Sequence, residues 1–271
     1  MKIAAGLFLF LGLTTPVAAE CHDTSVRIVE EKQGGVIHFY AESDNLLDFT
    51  ITLDLQLENL QASPALPVTV DVKGGNRAEL ASIRVVDPQK PTHYTRDYSW
   101  RYGARGGVPA RVAYLLPYAA GEQHELKQGY LGDFSHNPGS QNEYAYDFAM
   151  PVGTVVCAAR DGVVVGVRQG SDVGGPTPAF RNCGNYVIIR HRDGTYAEYV
   201  HLKKNGALVA LGSDVRAGQP IAISGATGFT SGPHLHFAVF RVLDGYKRET
   251  LPVFMKTRDG LRAHLTEGRD Y

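Results

Sequence analysis

The segment SGPHLHFAVF, residues 231–240, sets His234 and His236 two apart in a run of strand-forming residues. Side chains alternate across a strand, so the two imidazoles share one face and Leu235 takes the other. Taken alone such a pair is ordinary packing, since histidine is often partly buried without a role. Its weight depends on partners elsewhere in the chain. Asp147 lies in YAYDFAMP, a strand-like segment where a carboxylate between aromatics is costly unless paired or bound to a metal. His201 ends the strand-like TYAEYVHL, and His136 sits in the loop DFSHNPGSQ. Imidazoles and a carboxylate on separate segments form the donor set of a hydrolytic zinc, which takes three protein ligands and keeps a position open for water.

The elements that must bring these groups together are β throughout. From residue 20 to 119 short strands such as DFTITLDLQLENL alternate Ile51, Leu53 and Leu55 with Thr50, Thr52 and Asp54, and Gly or Pro interrupts about every ten residues. That pattern predicts a β-sandwich-like accessory domain with no metal-competent cluster. From residue 120 to 256 valine-rich strands alternate with glycine turns, a second antiparallel β unit with loops at 170–185 and 225–233. Gly225, Gly228 and Gly232 would let the backbone turn beside the histidine pair, or simply punctuate a hairpin. Residues 257–271, rich in charge, read as a peripheral tail.

Composition bounds the rest. The chain has 271 residues, 44% hydrophobic and 20% charged, with a formal net charge of -1, so no electrostatic case exists for nucleic acid. Residues 1–19 carry Lys2, an apolar run from Ile3 to Leu13 and a small-residue site ending at Ala19, the layout of a cleavable secretory signal. The run is too short for a stable membrane span. The chain is therefore expected to be secreted or periplasmic, where cysteines oxidise. Of Cys21, Cys157 and Cys183, the last two flank strands and could bridge them, leaving Cys21 free or paired elsewhere; Glu20 before Cys21 argues against lipid attachment.

Three stretches, YDFAMPVGTVVCAARDGVVV, GNYVIIRHRDGTYAEYVHL and VRAGQPIAISGATGFTSGPHLHF, resemble the lysostaphin-like or LytM-type peptidases, family M23, between about Tyr130 and Val239. The resemblance implies an all-β chain whose second domain is an antiparallel LytM-type, duplicated-hybrid-motif metallopeptidase. It implies a zinc endopeptidase that cuts peptide stems or crosslinks of bacterial peptidoglycan. Asp147 and His236 would ligate Zn2+, and His201 and His234 would be the catalytic histidines that handle the proton of the attacking water. The commoner family pattern has a histidine four residues before the aspartate, where this chain has Glu143. Either His136 reaches the metal from its loop or Glu143 ligates as a carboxylate; imidazole is the more usual third ligand, so His136 is preferred.

The competing reading is a catalytically inactive wall-binding or hydrolase-regulating protein of the same fold. A lipoyl- or biotinyl-type carrier ranks last, because no lysine occupies the corresponding hairpin turn. His22, His38, His93, His124 and His264 are read as surface or packing residues, and His191 as a structural neighbour of the site. Tyr144, Tyr146, Tyr196 and Tyr199 are strand aromatics that could line a peptide groove on one face.

Overall fold

The computed structural model describes residue 21 and residues 25–43 and 48–271; residues 1–19, expected to be a secretory signal, and His22 lie outside the described residues. Among the described residues the architecture is all-β apart from one 3-10 turn, Pro178–Cys183.

The N-terminal unit has two antiparallel sheets. One runs in the order Val26–Gln33, Val36–Ser43, Ala78–Val85, Leu60–Ser63; the other sets Phe49–Glu58 between Val68–Val72 and His93–Tyr102. Their inner faces share one core, in which Ile28, Phe39 and Ile83 of the first sheet meet Ile51, Leu53 and Val72 of the second. The outer face of Phe49–Glu58 is not solvated as the alternation suggests, because Thr50 and Thr52 are buried as well. The second unit covers them: Gly245 donates its backbone N–H to Thr52 Oγ1 at 2.9 Å. A Cβ at Gly245 would lie 2.1 Å from the Ser99 carbonyl oxygen, so only glycine permits this approach.

The second unit is built on a ten-stranded sheet whose central order is Gly162–Arg168, Asn185–Arg190, Tyr196–Ala207, His234–Val242, Ala145–Ala149, Leu126–Gln128. The strands Asn185–Arg190 and His234–Val242 are nearly continuous hydrophobic runs, and one core cluster spans Phe148, Val187, Ile189, Tyr199, Leu235 and Phe237.

Three expectations differ from what is found. Residues 257–271 are not peripheral: Phe254–Thr257 pairs with both Ala113–Leu115 and Gly260–Arg262, and Leu265 and Tyr271 belong to the main core. Tyr118 closes the join by donating its hydroxyl to the Tyr271 carbonyl at 2.7 Å. The same pairing draws Ala113–Leu115, expected in the first domain, into the second. The disulfide joins Cys21 to Cys183, whereas Cys157 is a free, buried thiol. Cys157 sits in a strand whose side chain enters the core, which puts it out of reach; Cys183 ends the 3-10 turn on the side facing the N-terminal unit.

Candidate metal centre

Strand register brings the first two groups together. Ala145–Ala149 and His234–Val242 pair antiparallel with Asp147 directly opposite His236 and Ala149 opposite His234, so both histidines and the aspartate point to one face. His201 reaches that face by a different route. Val200 pairs with His236, so in a regular strand the next side chain would point away. The ladder to Asn185–Arg190 slips here: Val200 faces Tyr186 and Leu202 faces Asn185, which makes His201 an extra residue. Its φ of 65° is left-handed, uncommon for a non-glycine residue. The bulge turns the imidazole back toward the site, 4.4 Å between ring centroids from His234.

His136 arrives from its loop, fully buried, with its ring edge-on to His236 at 5.4 Å. The loop is fixed rather than loose. Gln128 takes the backbone N–H groups of Phe134 and Ser135 on its Oε1 at 3.1 and 3.0 Å. Through Nε2 it donates to Asp147 Oδ2 at 3.0 Å. One buried amide thus ties the His136 loop to the carboxylate. Glu143, the other candidate for the first ligand, is turned away, accepting the Gly139 N–H at 2.7 Å within its own turn.

His136, Asp147 and His236 offer ligand atoms that all lie within 4.8 Å of one another. Asp147 Oδ1 is 2.8 Å from His236 Nδ1, 3.5 Å from His136 Nε2 and 3.9 Å from His234 Nε2. His136 donates Nδ1–H to the Gly129 carbonyl at 2.9 Å, which leaves Nε2 with a lone pair, buried and without a hydrogen-bond partner. Such an atom costs about 1–3 kcal/mol when nothing engages it. A cation engaging it would remove that cost, so the donor set fits zinc: two imidazoles, one carboxylate, and a backbone carbonyl fixing a ring from behind.

His201 and His234 are held in the same manner. His201 donates Nδ1–H to the Thr227 carbonyl at 2.7 Å, and His234 donates to the Gly232 carbonyl at 2.9 Å with Thr230 Oγ1 beside it at 3.0 Å. Both therefore present a bare Nε2 when neutral. Of the three glycines singled out in this loop, Gly228 has a φ of 85° and a Cβ there would meet Gly184 Cα at 2.6 Å. Gly225 is crowded by the Lys203 backbone, and Gly232 has open space around it.

The electrostatics separate the groups. Burial works to raise Asp147, but the imidazoles gathered around it, above all His236 with its 2.8 Å hydrogen bond, overcome it and hold the carboxyl well below its usual range. Burial would lower His236; Asp147 and Glu198 outweigh it and push the imidazole up to about 9. His201 is pushed down to about 3 by burial and by the neighbouring His234 and His236. Glu198 is the group that the sequence reading missed. It is buried beneath the site, ion-paired with Arg248, and its Oε1 lies 3.3 Å from His236 Nε2 without hydrogen-bond alignment. The signal was present: Glu198 lies between Ala197 and Tyr199 in a strand, the same costly placement that drew attention to Asp147.

A groove of about 1060 Å³ opens over these groups, bordered by the His136 loop and by the 170–185 and 225–233 loops. None of Tyr144, Tyr146, Tyr196 and Tyr199 lines it; the last three are core residues. His191 does not line it either, being buried against Tyr114. His38 pairs with Glu79 at 2.7 Å and His124 with the Ala149 carbonyl at 3.0 Å, both away from the groove.

Residues 141–248 match the model of peptidase family M23, so the chain carries an M23 peptidase domain. Peptidoglycan DD-endopeptidase ShyA of Vibrio cholerae is 44% identical over 91 residues, 34% of this chain and 18% of the relative. Glycyl-glycine endopeptidase ALE-1 of Staphylococcus capitis is 36% identical over 129 residues, 47% of this chain and 33% of the relative. The chain thus spans a third or less of the length of these relatives. Among solved structures, the catalytic domain of lysostaphin from Staphylococcus simulans is 26% identical, covering 48% of this chain and 87% of that one with a TM-score of 0.33.

Proposed function

We propose that the protein is an exported zinc endopeptidase that hydrolyses peptide bonds in bacterial peptidoglycan. The reading rests on one observation above all: a buried His136 Nε2 with nothing to bond, facing Asp147 and His236 beneath an open groove. His136 through Nε2, Asp147 through Oδ1 and His236 through Nδ1 would hold the ion. Zinc, when bound, supplies a Lewis acid that polarises a carbonyl and lowers the pKa of water toward ~7.

The chain's own residues do the rest. His201 and His234, each with Nδ1–H fixed on a carbonyl, keep Nε2 bare on the groove side. Either nitrogen can take a proton from water as it attacks a peptide carbonyl, and the resulting imidazolium N–H can donate to the oxyanion or return the proton to the leaving amine. The His201 site resists charging through burial, so the ring awaits its proton neutral at physiological pH. Family membership of the domain and the names of its relatives supply the substrate class. The alternative of an inactive wall-binding protein draws its weight from the displaced first ligand; the nearness of His136 to Asp147 and His236 supports the active reading over it.

Metal content by mass spectrometry should approach one zinc per chain and fall with chelator, together with release of dye from labelled peptidoglycan. His234→Ala should lose dye release while it keeps zinc. Equal release by the variant and the wild type would discard the catalytic role.

A further inference from the structure

A second cleft, of about 710 Å³, opens between the N-terminal unit and the large sheet. It runs into the site groove, with Arg181, Gly184, Glu198, Val200 and Arg248 lining both. Its charge is one-sided. Arg27, Arg101, Arg168, Arg181 and Arg248 line it, and its one carboxylate, Glu198, is committed to Arg248 and His236. Arg27 is paired with Glu42 at 3.1 Å.

The other three arginines have no carboxylate at ion-pair distance among the described residues. Arg101 donates only to neutral oxygens, Gln141 Oε1 at 2.5 Å and the Tyr246 carbonyl at 2.8 Å, and its Nε is buried without a partner. Burial, and then the neighbouring Arg248, lowers its pKa to about 10, so it stays charged at neutral pH. Arg168 donates to the Asn182 carbonyl, and Arg181 lies 5.8 Å over the Phe229 ring. Trp100 and Tyr102, edge-on at 4.8 Å, wall the opposite side. A recess with low-dielectric aromatic walls and guanidinium groups that lack counter-charges focuses positive potential and suits planar carboxylates.

We propose that this interdomain cleft is a second substrate-binding site, which holds carboxylate groups of the peptide stems next to the bond being cut. It rests on the endopeptidase reading for the identity of the ligand, and on geometry alone for its chemistry. A chain lying along the site groove would pass Arg248 and Arg181 and enter the cleft, so the N-terminal unit contributes one wall of the binding surface. Arg101 would supply the deepest positive charge, and Arg168 and Arg181 the mouth.

The test is binding, measured apart from cleavage. Fluorescently labelled, uncrosslinked peptidoglycan fragments are titrated with wild-type protein in chelator, so that no metal can hold the carboxylate, and anisotropy is read. The same fragments with their carboxyls amidated form the second arm, and Arg168→Gln/Arg181→Gln the third. Amidation should weaken binding ~10-fold or more, the value of one charge-assisted contact. The double variant should lose at least as much affinity for native fragments and show a flatter dependence on salt. Equal affinity for native and amidated fragments overturns the proposal, as does undiminished binding by the variant. If the variant fails to fold, the amidation arm decides alone. Carboxylate-dependent binding without hydrolysis upholds the cleft and discards the endopeptidase; hydrolysis with indifferent binding does the reverse.

Discussion

Glu198→Gln removes one charge and almost no volume from beneath the metal centre, so its consequences can be worked through. Glu198 and Arg248 are about a tenth exposed, and Arg248 also bonds Asn142 Oδ1 at 2.7 Å and the Gln141 carbonyl at 3.3 Å. The substitution leaves those two bonds and takes away the counter-charge. Opposite charges at contact attract by ~4–5 kcal/mol at an effective dielectric near 20. Relief from desolvating the carboxylate offsets part of this, leaving a net loss of ~3 kcal/mol. The second effect falls on His236, whose Nε2 loses the carboxylate 3.3 Å away. Losing a partner of that kind typically costs ~10–100-fold in metal affinity. Urea unfolding of the metal-free protein reads the first effect, and competition with a chromophoric zinc chelator reads the second. Adding Arg248→Met should restore most of the stability, since no charge is then stranded, but none of the zinc affinity. A single variant within ~0.5 kcal/mol of wild type and within ~2-fold in affinity would refute the account.

Three further outcomes follow from the same structure. His136→Ala should abolish stoichiometric zinc whereas Glu143→Gln keeps it, as read by metal analysis after dialysis; the opposite result would make the carboxylate the first ligand. Burial, then Arg160, pushes His191 down to about 4 from an ordinary 6.5, so between those values the unfolded chain binds a proton that the folded one refuses. Stability should therefore be full above pH ~6.5 and fall by up to ~3 kcal/mol as pH drops toward ~4, a loss that His191→Gln removes in pH-resolved melting curves. Cys183→Ser opens a covalent loop of 162 residues and should cost ~2–5 kcal/mol, visible as a lower melting temperature in oxidising buffer and as no difference from wild type in strong reductant.

Much of the site was legible because strands carry simple arithmetic. Period-two alternation puts His234 and His236 on one face, and an aspartate among aromatics advertises a buried use. The same arithmetic fails at His201, where an extra residue reverses the parity; a bulge depends on how neighbouring ladders close, which spacing does not record. Glu198 escaped notice although the reasoning used for Asp147 applies to it unchanged. The closing segment was misread for another reason: its charge is high, but strand pairing and the buried Leu265 and Tyr271 hold it, and two anchors carry little weight in a composition. The cysteine partner was not legible, since Cys21 meets Cys183 only through the docking of the two units.

The bulge at His201 makes the centre all-or-none in inheritance. Drift in side-chain size around it shifts distances by tenths of an ångström, which a packed sheet absorbs. Loss of one codon just after His201 would instead let the regular pleat run on from Val200 and carry the imidazole through the sheet to its other side. On the proposed reading, a descendant of this gene that gives up catalysis while keeping the scaffold would have a one-step route open to it, with His136, Asp147 and His236 still in place.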